Sequence, residues 1–312
     1  MKKYLVFDVG GTFVKYAVMD ENGEILEKGK FPTPMTSQED FIQALGDVYG
    51  PVQDEVEGIA FSLPGGIDVK EGFIRNPGAL LYNASSHFAK ALQDALHDRF
   101  GKDVTVAMEN DGRCAALAEL WKGNLSDVND GAVMILGTGI GGGIIVNRQV
   151  LHGRDIMAGE MSFLLGDIEK KGMANTLAGQ ASAISLCKQV AGAKGLEGED
   201  VDGFAVFKML EEQDEEAWKV FNSVCDRLAG TIYNLEVIIN PERVLIGGGI
   251  SQQPLVLQTI REKADAYFDA MNQEGFHMPR PEIDVCAYFN DSNMLGALYN
   301  LFENPILPSA AE

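Results

Sequence analysis

Two apolar runs, each broken by a glycine-rich turn, limit what this chain can become. The first is Tyr4-Leu-Val-Phe-Asp8-Val-Gly10-Gly11-Thr12-Phe-Val-Lys15, and its echo downstream is Met134-Ile-Leu-Gly137-Thr138-Gly139-Ile-Gly141-Gly142-Gly143. Each re-enters an apolar run after the turn, so each reads as strand, turn, strand. Glycines lack a Cβ and tolerate positive φ, which lets successive backbone N–H groups converge on an anion. With the Thr12 and Thr138 hydroxyls beside them, both turns read as phosphate holders. Gly137-x-Gly139-x-x-Gly142 matches the dinucleotide fingerprint in form, yet that motif opens a helix, and Ile144-Ile-Val-Asn-Arg-Gln-Val is strand sequence. A P-loop needs Gly-Lys-Ser/Thr at a helix start, and neither turn has it. Ordinary hairpin turns are the remaining alternative. Two alike in one chain count against it, as does Asp8 at the mouth of the first, because a carboxylate beside phosphate-binding amides is useful mainly when a cation joins them.

At 312 residues, with 46% hydrophobic and 23% charged residues, the chain has material for two soluble cores. The formal charge of −21 repels a nucleic-acid backbone, so DNA or RNA binding is disfavoured, while amides and a metal still neutralise a nucleotide locally. Cys114, Cys187, Cys225 and Cys286 are far apart and form no C-x-x-C pair, as in a reduced, cytoplasmic protein. No run approaches the length of a membrane span, and the N-terminus lacks the pattern of a signal peptide.

Along the chain, Asp20-Glu-Asn22-Gly23 predicts a hairpin that makes the first unit a three-stranded meander ending near Phe31. A helix over Gln38–Val48 and a buried strand over Gly58–Leu63 lead into Pro64-Gly65-Gly66. Ile67–Asn83 reads as loop and Ser85–Phe100 as a helix capped by Ser85 or Ser86. Val104–Met108 is a strand with Glu109-Asn110-Asp111-Gly112 at its C-terminal end, ahead of a helix from Arg113 to Trp121. A domain boundary is placed between Leu117 and Asp130. The second unit runs from Ala132 to Gln149, turning at Asn147-Arg148. A loop with His152-Gly153 and Ala158-Gly159-Glu160 follows, then a helix from Ala174 to Val190, helices over Asp202–Glu212 and Glu215–Val237, and a strand at Val244–Ile246 entering Gly247-Gly248-Gly249. Ser251 starts a further helix. Ile283–Ala287 is a strand, Ser292–Phe302 a helix packing back on the first domain, and Glu303–Glu312 a loose tail.

A strand, a glycine-rich hairpin and two further strands, used twice, form an internal duplication: two α/β domains with a nucleotide between them. Asp8-Val-Gly-Gly-Thr12, Pro64-Gly65-Gly66, Asn110-Asp111, Leu136–Gly143, His152-Gly153, Ala158-Gly159-Glu160 and Gly247–Gly249 occur in an order that resembles the ROK family of bacterial sugar kinases and sugar-responsive repressors. The resemblance implies an α/β fold of two actin-like (ribonuclease H-like) domains flanking a nucleotide/sugar cleft, with residues 1–120 and about 291–312 in the smaller and 121–290 in the larger. It implies an ATP- and Mg²⁺-dependent sugar kinase, cytoplasmic and homodimeric. ATP and its phosphates would be held by Asp8, Gly10, Gly11, Thr12, Lys15, Gly137, Thr138, Gly139, Gly141, Gly247, Gly248 and Gly249, with Asp8 orienting Mg²⁺ directly or through water. Gly66, Asn76, Asn110, Asp111 and Glu160 would bind the sugar. Asp111 matches the catalytic aspartate that removes the acceptor proton. Its plainer reading is helix capping, since Asn-Asp-Gly ahead of a helix is good N-cap chemistry. Glucokinase, fructokinase and N-acetylhexosamine kinase share these motifs, and a non-catalytic sugar sensor is the alternative from another class.

Two departures concern the substrate. Most members continue from Ala-Gly-Glu to Gly-His and a cysteine cluster that binds zinc. Here the His position is Phe163 and Gly166–Ala178 contains no cysteine, so no zinc site is expected. A sugar-contacting carboxylate after the cluster aligns with Ala178. Both changes fall where the resemblance places the free anomeric hydroxyl, and they favour a hexose substituted at C1, such as a β-glucoside, phosphorylated on its 6-hydroxyl.

Overall fold

Leu5, Phe7 and Val9 alternate along the first apolar run and are buried, as a strand with one face on a core requires. The computed structural model of the chain, which describes residues 1–167, 169–196, 201–289 and 291–308, builds a sheet around that strand. The chain divides into two compact units: Met1–Lys122 with His152–Ala158 and Asn290–Glu312, and Gly123–Leu151 with Gly159–Phe289.

In the first unit, β1 (Lys3–Val9), β2 (Phe13–Asp20) and β3 (Ile25–Pro32) form the antiparallel meander. Helix α1 (Gln38–Tyr49) follows, capped by the Ser37 side chain, then β4 (Val56–Leu63). The stretch expected to be loop holds β5 (Gly66–Asp68) and β6 (Phe73–Asn76), which pair with each other and bury Ile67 and Ile74. Strands this short show no readable period, which is why the sequence hid them. Helix α2 (Phe88–Phe100) starts later than expected, and neither Ser85 nor Ser86 caps it. Ser85 has φ +53°, and the Ser86 backbone pairs with Ile74 instead. Strand β7 (Thr105–Asn110) runs into helix α3 (Asp111–Trp121). The sheet order is β3-β2-β1-β4-β7, with β1, β4 and β7 parallel. Phe41 and Leu45 of α1 and Phe88, Leu92 and Leu96 of α2 close one face over Phe7, Ile59 and Phe61.

The second unit opens with β8 (Gly131–Leu136), β9 (Ile140–Val146) and the two-residue β10 (Gln149–Val150). Asn147 and Arg148, at φ +52° and +61°, make the turn between β9 and β10, the backbone twist that tight hairpins need. The single helix expected over residues 174–190 is two: α4 (Leu177–Ala181), capped by Thr176, and α5 (Ala183–Ala193), capped by Ser182. A serine whose side chain takes a backbone N–H ends one helix by starting another. Then come α6 (Gly203–Glu211), α7 (Glu215–Ile239), β11 (Arg243–Gly247), α8 (Pro254–Gln273) and β12 (Glu282–Val285). Ser251 lies in a 3₁₀ turn, Gly249–Gln252, ahead of α8 rather than in it. The sheet order is β10-β9-β8-β11-β12. Counted from its own first strand, each sheet runs 3-2-1-4-5, so the duplication read from the two turns extends to the topology.

Helix α9 (Ser292–Glu303) returns to the first unit and packs on α3, β1, β4 and β7. A Cβ on Gly296 would stand 1.7 Å from the Cys114 carbonyl oxygen, so the two backbones touch with no side chain between them. The tail is not loose throughout, since Ile306 exchanges backbone hydrogen bonds with Val106. The tail residues 309–312, the boundary residue 290 and Ile168 of the cysteine-free stretch lie outside the described residues. Among those described, no helix is long and apolar enough to cross a membrane.

Candidate active site

In the first unit, parallel register brings the C-terminal ends of three strands together: Asp8 pairs with Ser62, Ser62 with Glu109, and Leu63 with Asn110. Asp8 is 9% exposed. Its Oδ1 accepts from Ser62 Oγ at 3.1 Å and from Asn293 Nδ2 of α9 at 3.0 Å, while Oδ2 faces the Lys15 ammonium at 3.4 Å. Neither Ser62 nor Asn293 stands out as a site residue in the sequence. A serine inside the apolar run Ile59–Leu63 was the signal for one; Asn293 is reached only through tertiary packing. The turn beyond β1 leaves Gly10, Gly11 and Thr12 exposed. Thr33 braces it, with Oγ1 donating to the Gly10 carbonyl at 2.6 Å and its backbone N–H to that of Thr12.

Asp111 is the first residue of α3, and the capping role belongs to its neighbour. Asn110 is the N-cap, its Oδ1 accepting from the Arg113 N–H at 3.2 Å while Nδ2 donates to the Gly65 carbonyl at 2.9 Å. The Asp111 carboxylate accepts from the Gly112 N–H of its own first turn at 2.8 Å. Burial pushes its carboxyl above the ordinary range; the Gly112 hydrogen bond opposes this, and the negative charge of Asp8 reinforces it. A carboxylate with a raised pKa is a better proton acceptor for an alcohol than an ordinary one. Gly66 pairs with Asn76 across β5 and β6, and the Asn76 side chain accepts from Gly78 N–H. These residues and Asn110 are therefore joined through Gly65 and Gly66.

In the sequence, Glu109 reads only as part of the strand end. It is fully buried. One carboxylate oxygen accepts from Asn110 N–H at 2.7 Å and the other lies 2.6 Å from His152 Nε2. A glutamate inside the apolar run of β7 was the available signal.

In the second unit, Gly137, Thr138 and Gly139 form the turn between β8 and β9, and Ser162 braces it, its Oγ accepting from Ile140 N–H at 2.9 Å and donating to the Ile140 carbonyl at 3.1 Å. The glycines act differently from expectation, for none of Gly10, Gly11, Gly137 and Gly139 has positive φ. Room is what they supply: a Cβ on Gly139 would lie 2.8 Å from Ser162 Oγ and 4.0 Å from Ala178 Cβ. Gly248 is the member that needs a left-handed backbone. At φ +92°, a Cβ there would meet the Leu136 carbonyl oxygen at 2.2 Å, so Gly247–Gly249 and the Gly137 turn are neighbours. Gly141 lies within β9, paired with Ile135. Glu160 precedes the 3₁₀ turn Met161–Phe163, and the Phe163 side chain is half exposed. The loop after it is closed by Gly166 N–H to Asn175 carbonyl, by Leu177 N–H to Leu164 carbonyl and by a Leu165–Thr176 bridge.

Known proteins resemble this chain along nearly its whole length. The chain is 30% identical over 305 residues to the beta-glucoside kinase of Listeria monocytogenes, covering 96% of this chain and 98% of that one. It is 29% identical over 308 residues to the beta-glucoside kinase of Klebsiella pneumoniae, covering 97% and 98%. The crystal structure of a ROK family protein from Streptococcus pneumoniae in complex with sucrose superposes with a TM-score of 0.84 at 27% identity, over 96% of this chain and 98% of that one. The two-domain actin-like α/β fold is common to such proteins, and the repeated 3-2-1-4-5 sheets are its core. The model of the ROK family matches residues 4–303, and the chain belongs to that family.

Proposed function

We infer that the protein is an ATP-dependent sugar kinase that transfers the γ-phosphoryl group to a hexose hydroxyl. The observation that carries this reading is Asp111, a carboxylate released from capping by Asn110, with a raised pKa and Asp8 as its charged neighbour. In the step, the acceptor oxygen bonds to the γ-phosphorus, the bond from that phosphorus to the ADP oxygen breaks, and the hydroxyl proton passes to Asp111. A divalent cation, which we take to be Mg²⁺, would offset the charge of the phosphates. Asp8 fits it as an oxygen ligand or water holder, and among the described residues no group of three metal-binding side chains forms, so phosphates and water would supply the other ligands. Gly10, Gly11, Thr12, Lys15, Gly137, Thr138, Gly139, Gly141 and Gly247–Gly249 are assigned to the nucleotide, and Gly66, Asn76, Asn110 and Glu160 to the sugar.

The acceptor we propose is a hexose substituted at C1, such as a β-glucoside, phosphorylated at O6. Phe163 and Ala178 in place of polar groups support it. So do two relatives named for β-glucosides and a solved relative holding sucrose, whose anomeric carbons are both in glycosidic linkage. The family further supports a homodimer and domains near 1–120 with 291–312 and 121–290, while Phe163 and the lack of cysteine over Gly166–Ala178 support the absence of zinc. The four buried free thiols support a cytoplasmic location. The test is ADP release across β-glucosides, free glucose, fructose and N-acetylhexosamines, with the phosphorylated carbon located by NMR. A free hexose used at least about tenfold better than any glucoside in kcat/KM overturns the acceptor class, since such a ratio is one that a single pocket contact can set. Sugar binding without ADP release favours the sensor.

A further inference from the structure

Two buried charges flank Asp111 in the sequence. Glu109 is fully buried and Arg113 is 1% exposed, with their charged atoms 3.9 Å apart. Burying such a pair is costly, and apolar residues of similar volume usually serve stability as well. What these charges hold is the segment His152–Ala158. Glu109 takes its start, through the 2.6 Å contact to His152 Nε2. Arg113 takes its end, donating Nη2 to the Ile156 carbonyl at 2.8 Å and to that of Ala158 at 3.1 Å. The segment contains no helix or strand, and it carries two left-handed residues, Gly153 at φ +70° and the non-glycine Ile156 at φ +63°. A backbone of that kind persists only where its surroundings hold it. Glu109 also accepts the Asn110 N–H, so one carboxylate fixes both the segment and the backbone that leads into Asp111.

We propose that Glu109, His152 and Arg113 are positioning residues for Asp111. Resting on the kinase reading above, the cluster locks the Asn110–Asp111 backbone against the segment 152–158, so that the carboxylate meets the acceptor hydroxyl in one orientation. Misplacement of about 1 Å costs up to about 100-fold in rate, and the effect belongs in kcat, because none of the three side chains is assigned to substrate.

The experiment compares wild type, His152→Leu, His152→Gln and Glu109→Gln for kcat, for KM of ATP and sugar, and for Tm. His152→Leu is expected to lower kcat about 10- to 100-fold with both KM values nearly unchanged, the size of an orientation effect. His152→Gln, which offers an amide N–H near the position of Nε2, is expected to recover most of that loss; a cluster acting only on stability would move Tm without this kcat recovery. If the leucine variant does not fold, Glu109→Gln, which keeps an acceptor for Asn110 N–H, carries the test with a loss of about tenfold. A wild-type kcat in the variants, a glutamine variant no better than the leucine one, or a change confined to KM overturns the inference while the kinase reading stands. A wild type that releases no ADP with any sugar overturns both.

Discussion

The two sheets share one strand order and one turn design, and differ in what stands at the strand ends. In the first, Asp8 stands in β1 two residues ahead of its turn, and β7 ends at Asn110 with Asp111 directly after it. In the second, Ile135 holds the place of Asp8 two residues ahead of Gly137, and β12 ends at Val285. Both turns are braced by a hydroxyl from another segment, Thr33 in one and Ser162 in the other. On the proposed assignments, both copies would offer backbone amides to phosphate, while the proton acceptor Asp111 and the cation partner Asp8 belong to the first alone. In that reading a phosphate grip would be a property of the hairpin and repeat with it, whereas proton transfer would need particular side chains and not repeat.

The sharpest test of this division is Asp111→Asn, which should lower kcat by about two to four orders of magnitude, the usual worth of a general base, with KM for ATP little changed. Near-normal turnover in ADP-release assays would return the first sheet to the status of the second. Next in size, Gly248→Ala places a Cβ against the Leu136 carbonyl at a left-handed position. A strain of about 1–3 kcal/mol is expected, read as a lower Tm and a higher KM for ATP, with kcat at saturating ATP largely kept. A kcat loss equal to that of Asp111→Asn would show that the second sheet does more than hold.

Smaller effects compare the braces directly. Thr33→Val and Ser162→Ala each remove hydrogen bonds worth about 1 kcal/mol, and each should raise KM for ATP by about fivefold. A change in one and not the other would show that only one turn holds phosphate.

The smallest effect concerns pH. Asp111 must be ionised to accept a proton, so kcat/KM falls as pH drops through its raised pKa, with a midpoint above the ordinary 3.8. Because the folded state holds that proton more tightly than the unfolded one, the stability contributed by the protonated carboxyl is full below the unfolded pKa and is lost as pH rises through the folded pKa. Asp111→Asn should therefore have a higher Tm than wild type at neutral pH, with the gap closing as pH falls toward 4. A lower Tm for the variant at pH 7 would contradict the burial argument.

Much of the fold was legible because its main strands are long apolar runs with unmistakable turns. Gly10-Gly11-Thr12, Asn22-Gly23 and Asn147-Arg148 each punctuate where expected. What escaped was short or depended on partners distant in sequence: the β5–β6 hairpin, the break at Ser182 and the Ile306–Val106 pairing. The site divides the same way. Asp8 and Asp111 stand out as carboxylates closing apolar runs, whereas Ser62, Thr33, Ser162 and Asn293 acquire meaning only once strand register and helix packing are known. Glu109 lay between these cases, visible as a charge in an apolar strand but without a role until His152 and Arg113 came beside it.

The contact of Gly296 with the Cys114 carbonyl carries a consequence for how the molecule is made. The first unit draws α9 from residues 292–303, far from the strands of residues 3–110 that it covers, and α9 also supplies the Asn293 amide to Asp8. During synthesis the strands of the first sheet emerge well before α9 is available to pack on them, while the second unit, drawn largely from the residues between, has all its parts before α9. Sequence separation of this kind slows assembly and exposes apolar surface in the interim. Refolding should show the second core forming first, with Asp8 gaining its last partner only when the final helix docks.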